Sequence, residues 1–215
     1  MAEIDSLDFE DARYERKFLV SELSLEEIEQ IIKFHPAIFL EIFFKRRVNN
    51  IYFDSINMEN YFDNVRGNPQ RLKIRIRWYG VLGGKIKNPF LELKVKSGEL
   101  GKKLKFPLKS FSLNKNFSKE FLQKEVFNKS NLPNWLIEKL KLYQPCLLNS
   151  YKRKYFISTN KEYRITLDDD LVFFEIKEKN NLFKYKRQDR SIVLEVKYKR
   201  SGDEFVEKIT QLFSF

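Results

Sequence analysis

Cysteine and histidine are nearly missing from this 215-residue chain, which holds one of each, Cys146 and His35. A single cysteine excludes an internal disulfide and any cysteine-cluster metal site, and it fits a reducing compartment. A single histidine excludes paired-histidine zinc sites and leaves little room for histidine-centred acid–base chemistry. No low-complexity tract, linker or internal repeat is visible. Gly80, Gly83 and Gly84 lack the helix context of a phosphate loop and read as a turn. Long apolar runs are missing too. The most apolar stretch, 34–44, is broken by His35, Pro36 and Glu41, so it cannot span a bilayer. No basic-then-apolar leader opens the chain; residues 1–11 are acidic instead. The expectation is a soluble, cytoplasmic protein, with His35 as a buried or helix-end histidine that is no ligand and Cys146 as a small buried apolar residue.

What is present is apolar mass and positive charge. The chain is 42% hydrophobic and 15% aromatic, with 21 Phe, enough for a substantial core. Its 33% of charged residues therefore belongs to a folded protein and not a disordered one. A net charge of +11 points to an anionic partner: nucleic acid, anionic membrane or phosphate-rich small molecules.

Most of the sequence reads as strands: 13–20, 48–54, 71–79, 90–96, 102–107, 150–157, 163–167, 172–176 and 191–199. Ser24 opens a helix to about Phe34, with Glu27 as capping-box partner. An aromatic, partly helical connection ends near Gly67, two helical pieces fill 118–143 with Pro133 starting the second, and a last helix spans 203–212 with Asp203 as cap. This predicts one α+β domain over residues 1–215, with about eight antiparallel strands able to close into a barrel flanked by helices.

The strand 71–78 alternates strictly between cation and apolar side chain. Period two puts Arg71, Lys73, Arg75 and Arg77 on one face and Leu72, Ile74, Ile76 and Trp78 on the other. Similar faces recur in Glu15 and Lys17, in Glu92, Lys94 and Lys96, and in Glu195, Lys197 and Lys199. One reading is a sheet with a wet face. The other is a lumen in which Arg forks and Lys charges hold phosphate while Glu15, Glu92 and Glu195 offer oxygens to a hard divalent ion. Alternation alone leaves both open. Trp78, Phe90 and Tyr163 are assigned to the apolar faces, which disfavours nucleic acid as the partner.

In order along the chain come Arg13-Tyr14-Glu15-Arg16-Lys17-Phe18, Val48 to Asp54, Tyr61 to Gly67, Lys73 to Gly80, Phe90 to Lys94, Ser150 to Arg153, Arg164 to Asp168 and Val193 to Lys197. This ordered set resembles the VTC domain, the catalytic domain of the vacuolar transporter chaperone, within the triphosphate tunnel metalloenzymes of the CYTH-like superfamily. The resemblance implies a closed antiparallel tunnel that binds ATP, triphosphate or polyphosphate with Mn2+ or Mg2+. It implies transfer of the ATP γ-phosphate onto polyphosphate.

By that resemblance Lys17, Arg75, Arg77, Lys94, Tyr151, Arg153, Arg164 and Lys197 are phosphate ligands. Arg75, Arg77, Lys94, Arg153 and Arg164 carry catalysis, and Glu195 and Glu15 hold the metal. Arg13 replaces the first acidic residue of the superfamily's N-terminal motif. Family members usually continue into a Ser-Lys-Tyr segment, and this chain ends at Leu212-Phe213-Ser214-Phe215 before it. An inorganic or nucleoside triphosphatase of the same fold, or a non-catalytic polyphosphate-binding module, are the alternative expectations.

Overall fold

The computed structural model describes residues 13–98, 100–183, 186–199, 203–211 and 213. Strand β1 (Arg13–Val20) is followed by helix α1 (Leu25–Lys33), which starts in the expected capping box. Ser24 accepts from the Glu27 N–H at 3.3 Å while the Glu27 carboxylate accepts from the Ser24 N–H at 2.8 Å. The chain then runs through β2 (Phe39–Asp54), α2 (Glu59–Val65), β3 (Gln70–Tyr79), β4 (Gly84–Ile86), β5 (Phe90–Ser97), β6 (Leu100–Pro107) and β7 (Phe111–Leu113). Helix α3 (Lys119–Phe121) continues as a π-type turn (Leu122–Phe127), and α4 is Asn134–Lys141. Strands β8 (Gln144–Ser158), β9 (Arg164–Glu175), β10 (Arg187–Asp189) and β11 (Ile192–Lys199) lead to α5 (Asp203–Thr210).

Every pairing is antiparallel, and the main path runs β1-β11-β9-β8-β2-β3-β5-β6. With β10 on β9 this sheet has nine strands, and β4 pairs β7 in a second, small sheet. The expected closed eight-stranded barrel is thus corrected in two respects. The count is nine, and the described residues include no backbone ladder between β1 and β6 at the two ends of the path. Those ends nevertheless approach each other. A side-chain contact also reaches β1 from β5, with Lys94 Nζ 2.6 Å from Glu15 Oε2.

Three strands differ markedly in length from the sequence reading; β8 starts at Gln144, six residues before the expected Ser150. β2 begins at Phe39, not Val48, because β8 supplies a partner along its full length, with bulges between Glu41 and Phe43 and between Phe43 and Arg46. The reading of separate strands at 163–167 and 172–176 is replaced by the continuous β9. Asp168-Asp169-Asp170 resembles a break in sequence, yet each carboxylate meets a cation: Arg153, Lys45, and Arg47 with Lys152. Asp170 takes φ of 52°, which marks an irregularity matched by the register shift in β8 between Ser150 and Lys152.

The core lies on the face away from the cations and falls into two clusters. Ile51, Ile74, Ile76, Trp78, Leu91 and Leu93 pack under the 117–140 region through Phe117, Leu122, Val126, Leu136 and Leu140. Ile165, Leu167, Leu194 and Val196 pack against Ile28 and Ile32 of α1 and Val206 of α5. The 117–140 region, α1 and α5 therefore cover the apolar face. The charged face is left to curl inward.

His35 is buried, as expected. Its Nδ1 accepts from the Ala37 N–H at 3.0 Å, so its Nε2 donates to the Ile209 carbonyl at 3.1 Å and ties α5 to the start of β2. Cys146 is a partly buried free thiol whose Sγ donates to the Tyr52 carbonyl, and burial pushes its pKa up to about 11. No helix among the described residues is long and apolar enough to cross a membrane.

Candidate functional site

Strand register decides which side chains share the concave face. Arg75 stands opposite Tyr52 on β2 and Glu92 on β5, and Arg77 stands opposite Asn50 and Phe90. Lys73 is opposite Lys94, which is opposite Lys103. Across the sheet, Glu15 faces Lys197 and Lys17 faces Glu195, while Glu195 faces Thr166 and Lys197 faces Arg164. Arg153 stands between Arg46 and Asp168. Because partners in a ladder lie on the same side, the ten residues singled out above are all brought to one face. Arg164, at the start of β9, is solvent-exposed at its rim.

The centre is built around Arg75, Arg77 and Glu92. Arg75 donates from Nε and Nη2 to Glu92 Oε2 at 2.9 and 2.8 Å, and from Nη1 to the Tyr52 hydroxyl at 3.2 Å. Arg77 donates from Nε to Asn50 Oδ1 at 2.7 Å and from Nη2 to the Tyr151 hydroxyl at 3.1 Å. Glu92 is buried and also lies 3.7 Å from Arg77 Nη1 and 3.6 Å from Lys103 Nζ. Burial alone would raise its pKa, but Arg75, Arg77 and Lys103 outweigh that and hold it below the usual carboxylate value. The same two arginines outweigh burial at Tyr52 and lower its phenol.

A second group lies on β1, β9 and β11. Glu195 is buried, with Lys197 Nζ at 2.7 Å, Lys17 Nζ at 3.3 Å and the Thr166 hydroxyl donating at 3.3 Å. Burial would raise its pKa, yet Lys197 and then Lys17 hold it far below the carboxylate range. Arg153 makes a two-toothed contact with Asp168, both bonds at 2.5 Å, and lies 5.1 Å over the Tyr151 ring. Away from these pairs positive charge is in surplus. Partial burial, then Lys94 and Arg71, push Lys96 below the ordinary lysine value.

Several participants were not singled out from the sequence as site residues. Asn50 and Tyr52 sit one and three places from Asn49 in an apolar-looking strand, and period two from Val48 was the signal for them. Asp168 continues the Arg164, Thr166 alternation. Phe90 is a correction: its register opposite Arg77 puts it on the cationic face, where Lys105 Nζ lies 3.6 Å from its ring centre. Trp78 and Tyr163 are buried, in line with the expectation. Among the described residues no three Asp, Glu, His or Cys gather as a ready metal cage. The donor set instead fits a hard ion held by one or two carboxylates together with substrate phosphates.

An antiparallel sheet curled around converging Arg, Lys and Glu side chains defines a protein of the triphosphate tunnel class. The family model for the VTC domain matches residues 12–214, and the chain belongs to that family. No curated protein matches the sequence at a significant level. Among solved structures, a proposed adenylate cyclase from Bacillus halodurans is 14% identical with a TM-score of 0.53, covering 94% of this chain and 90% of its own. A proposed adenylate cyclase from Vibrio parahaemolyticus is 10% identical with a TM-score of 0.49, over 94% and 89%. A proposed adenylyl cyclase from Hippeastrum with a dominant triphosphatase activity is 12% identical with a TM-score of 0.49, over 94% and 85%.

Proposed function

We propose that this protein is a polyphosphate polymerase-type phosphotransferase, moving the ATP γ-phosphate onto a polyphosphate chain held in the cationic trough. The observation that carries this reading is the convergence of Arg75, Arg77, Lys94, Arg153 and Lys197 on one face, with fewer carboxylates than cations. A phosphate chain supplies the missing negative charge. Arg75 and Arg77 offer planar forks to the phosphate oxygens, and Tyr151 orients the Arg77 fork through its hydroxyl. Lys17, Lys94 and Lys197 supply point charge, and Arg164 receives the chain at the rim.

Phosphoryl transfer needs positioning and charge neutralisation more than covalent help from the protein. Arg75, Arg77, Lys94, Arg153 and Arg164 would spread the charge that develops on the transferred group. A terminal phosphate oxygen as attacking group needs no general base. A bound divalent ion, Mn2+ or Mg2+, would neutralise phosphate oxygens, with Glu195 as its carboxylate ligand and Glu15 as a second. Glu195 suits that role because Lys197 and Lys17 keep it ionised.

The test is incubation of the purified protein with ATP and Mn2+, followed by gel detection of polyphosphate and measurement of free phosphate. Long chains support the polymerase reading. Free phosphate alone identifies a triphosphatase, and triphosphate binding without turnover identifies a binding module.

A further inference from the structure

The cationic face does not end at Arg77. Two residues further along β3, at 3.3 Å or so per residue, Tyr79 follows on the same side of the strand. There the guanidinium of Arg46 lies 4.3 Å from the Tyr79 ring centre, 4.6 Å from Tyr155 and 5.4 Å from Phe43. Its Nε donates to the Tyr155 hydroxyl at 3.2 Å, and the Phe43 ring meets Tyr155 edge-on at 5.6 Å between centres. Register ties this cluster to the phosphate-facing side chains. Arg46 stands opposite Arg153, and Phe43 stands opposite Tyr155. A chain of contacts runs from Arg77 through Tyr151, Arg153 and Tyr155 to Arg46 and Tyr79.

Two features of this cluster are unlike core packing. Phe43 is 54% exposed and Tyr79 40% exposed, so broad ring surface faces solvent beside the trough. Arg46 is held in place by rings while one of its five donors is engaged by Tyr155. Solvent-exposed aromatic side chains around a fixed guanidinium form a stacking platform for a flat, electron-rich heterocycle. Lipid chains would be met by apolar side chains alone, and phosphate needs no rings.

We propose that Phe43, Arg46, Tyr79 and Tyr155 form a nucleobase platform at the end of the trough, binding the base of a nucleoside triphosphate whose phosphates lie along Arg77 and Arg75. From Arg75 to Tyr79 is four residues, roughly 13 Å of strand, which leaves room for a ribose between phosphates and base. The platform rests on the phosphate-binding reading of the trough and adds to it. It gives the ATP of that reading a site for its base and sets nucleotide apart from bare phosphate chain.

The test is calorimetric binding of two probes, ATP and inorganic tripolyphosphate, to wild type, Phe43→Ala and Tyr79→Ala. Base stacking on a ring is lost with the ring, so ATP affinity falls by roughly tenfold or more in each variant. Tripolyphosphate affinity stays within about threefold of wild type, which also reports that each variant is folded. ATP and tripolyphosphate weakening together, or ATP affinity unchanged while tripolyphosphate still binds, would overturn the platform. Failure of wild type to bind tripolyphosphate at all would overturn the trough reading, and the platform with it.

Discussion

Glu92 is the only carboxylate within ion-pair reach of Arg75, Arg77 and Lys103 among the described residues, and Glu92→Gln removes its charge with almost no change of shape. The substitution leaves two largely buried guanidinium groups facing each other without a counterion. Breaking a buried pair from one side costs about 3–5 kcal/mol. Arg75 retains some solvent contact and Lys103 is half exposed, so the lower end, about 3 kcal/mol, applies. For a domain of this size that is a fall of roughly 6–12 °C in the melting temperature. Bound phosphate supplies the missing charge at the same guanidinium groups. Tripolyphosphate at 100 times its Kd adds about 2.7 kcal/mol to wild type, and it should stabilise the variant by more than that. Thermal melts of both proteins with and without tripolyphosphate measure the two effects. A loss below about 1 kcal/mol, with the same ligand shift in both proteins, would refute the reasoning that Glu92 is the counterion of these guanidinium groups and that bound phosphate can replace its charge.

Three further outcomes are expected. Arg77→Lys keeps the charge but loses the fork to Asn50 and Tyr151, so tripolyphosphate affinity should fall by tenfold or so; isothermal calorimetry showing no change would count against Arg77 as a phosphate ligand. Glu195→Gln should weaken Mn2+-dependent turnover of ATP while leaving metal-free tripolyphosphate binding in place, and unchanged metal dependence would sink the assignment of Glu195 to the metal. Burial holds the His35 imidazole below its ordinary value, and its Nδ1 already accepts from Ala37. Below pH ~6.5 the unfolded chain binds a proton that the folded one refuses, so stability is full above that pH and declines beneath it. His35→Gln should flatten this slope in chemical denaturation at pH 5 and pH 7, and an equal slope in both proteins would place the acid sensitivity elsewhere.

Much of the site was legible because the strand period is two and the chain obeys it. Arg75 and Arg77 alternate with Ile74 and Ile76, and burial of those isoleucines fixes which way the arginines point. Local chemistry was equally plain at Ser24 and Glu27, where the capping box needs only a partner three residues on and no tertiary contact. Phe39 to Arg47 was not legible as strand, since the pairing that holds it comes from β8, a hundred residues or so later. The three aspartates of β9 misled for the same reason. Their cations, Arg153, Lys45, Arg47 and Lys152, lie on other strands.

By itself the sequence determined composition and facing: a basic chain almost without cysteine or histidine, and strands whose cations lie on one side and whose aliphatic residues lie on the other. Side-chain direction along a strand is a local property of the backbone, so one sequence suffices to read it. Only the tertiary structure decided which charges meet. It set Glu92 among Arg75, Arg77 and Lys103, joined Lys94 to Glu15 across an unpaired seam, and gathered Phe43, Tyr79 and Tyr155 around Arg46. Those contacts depend on register between strands far apart in the chain, and register is fixed by the packing of the whole sheet.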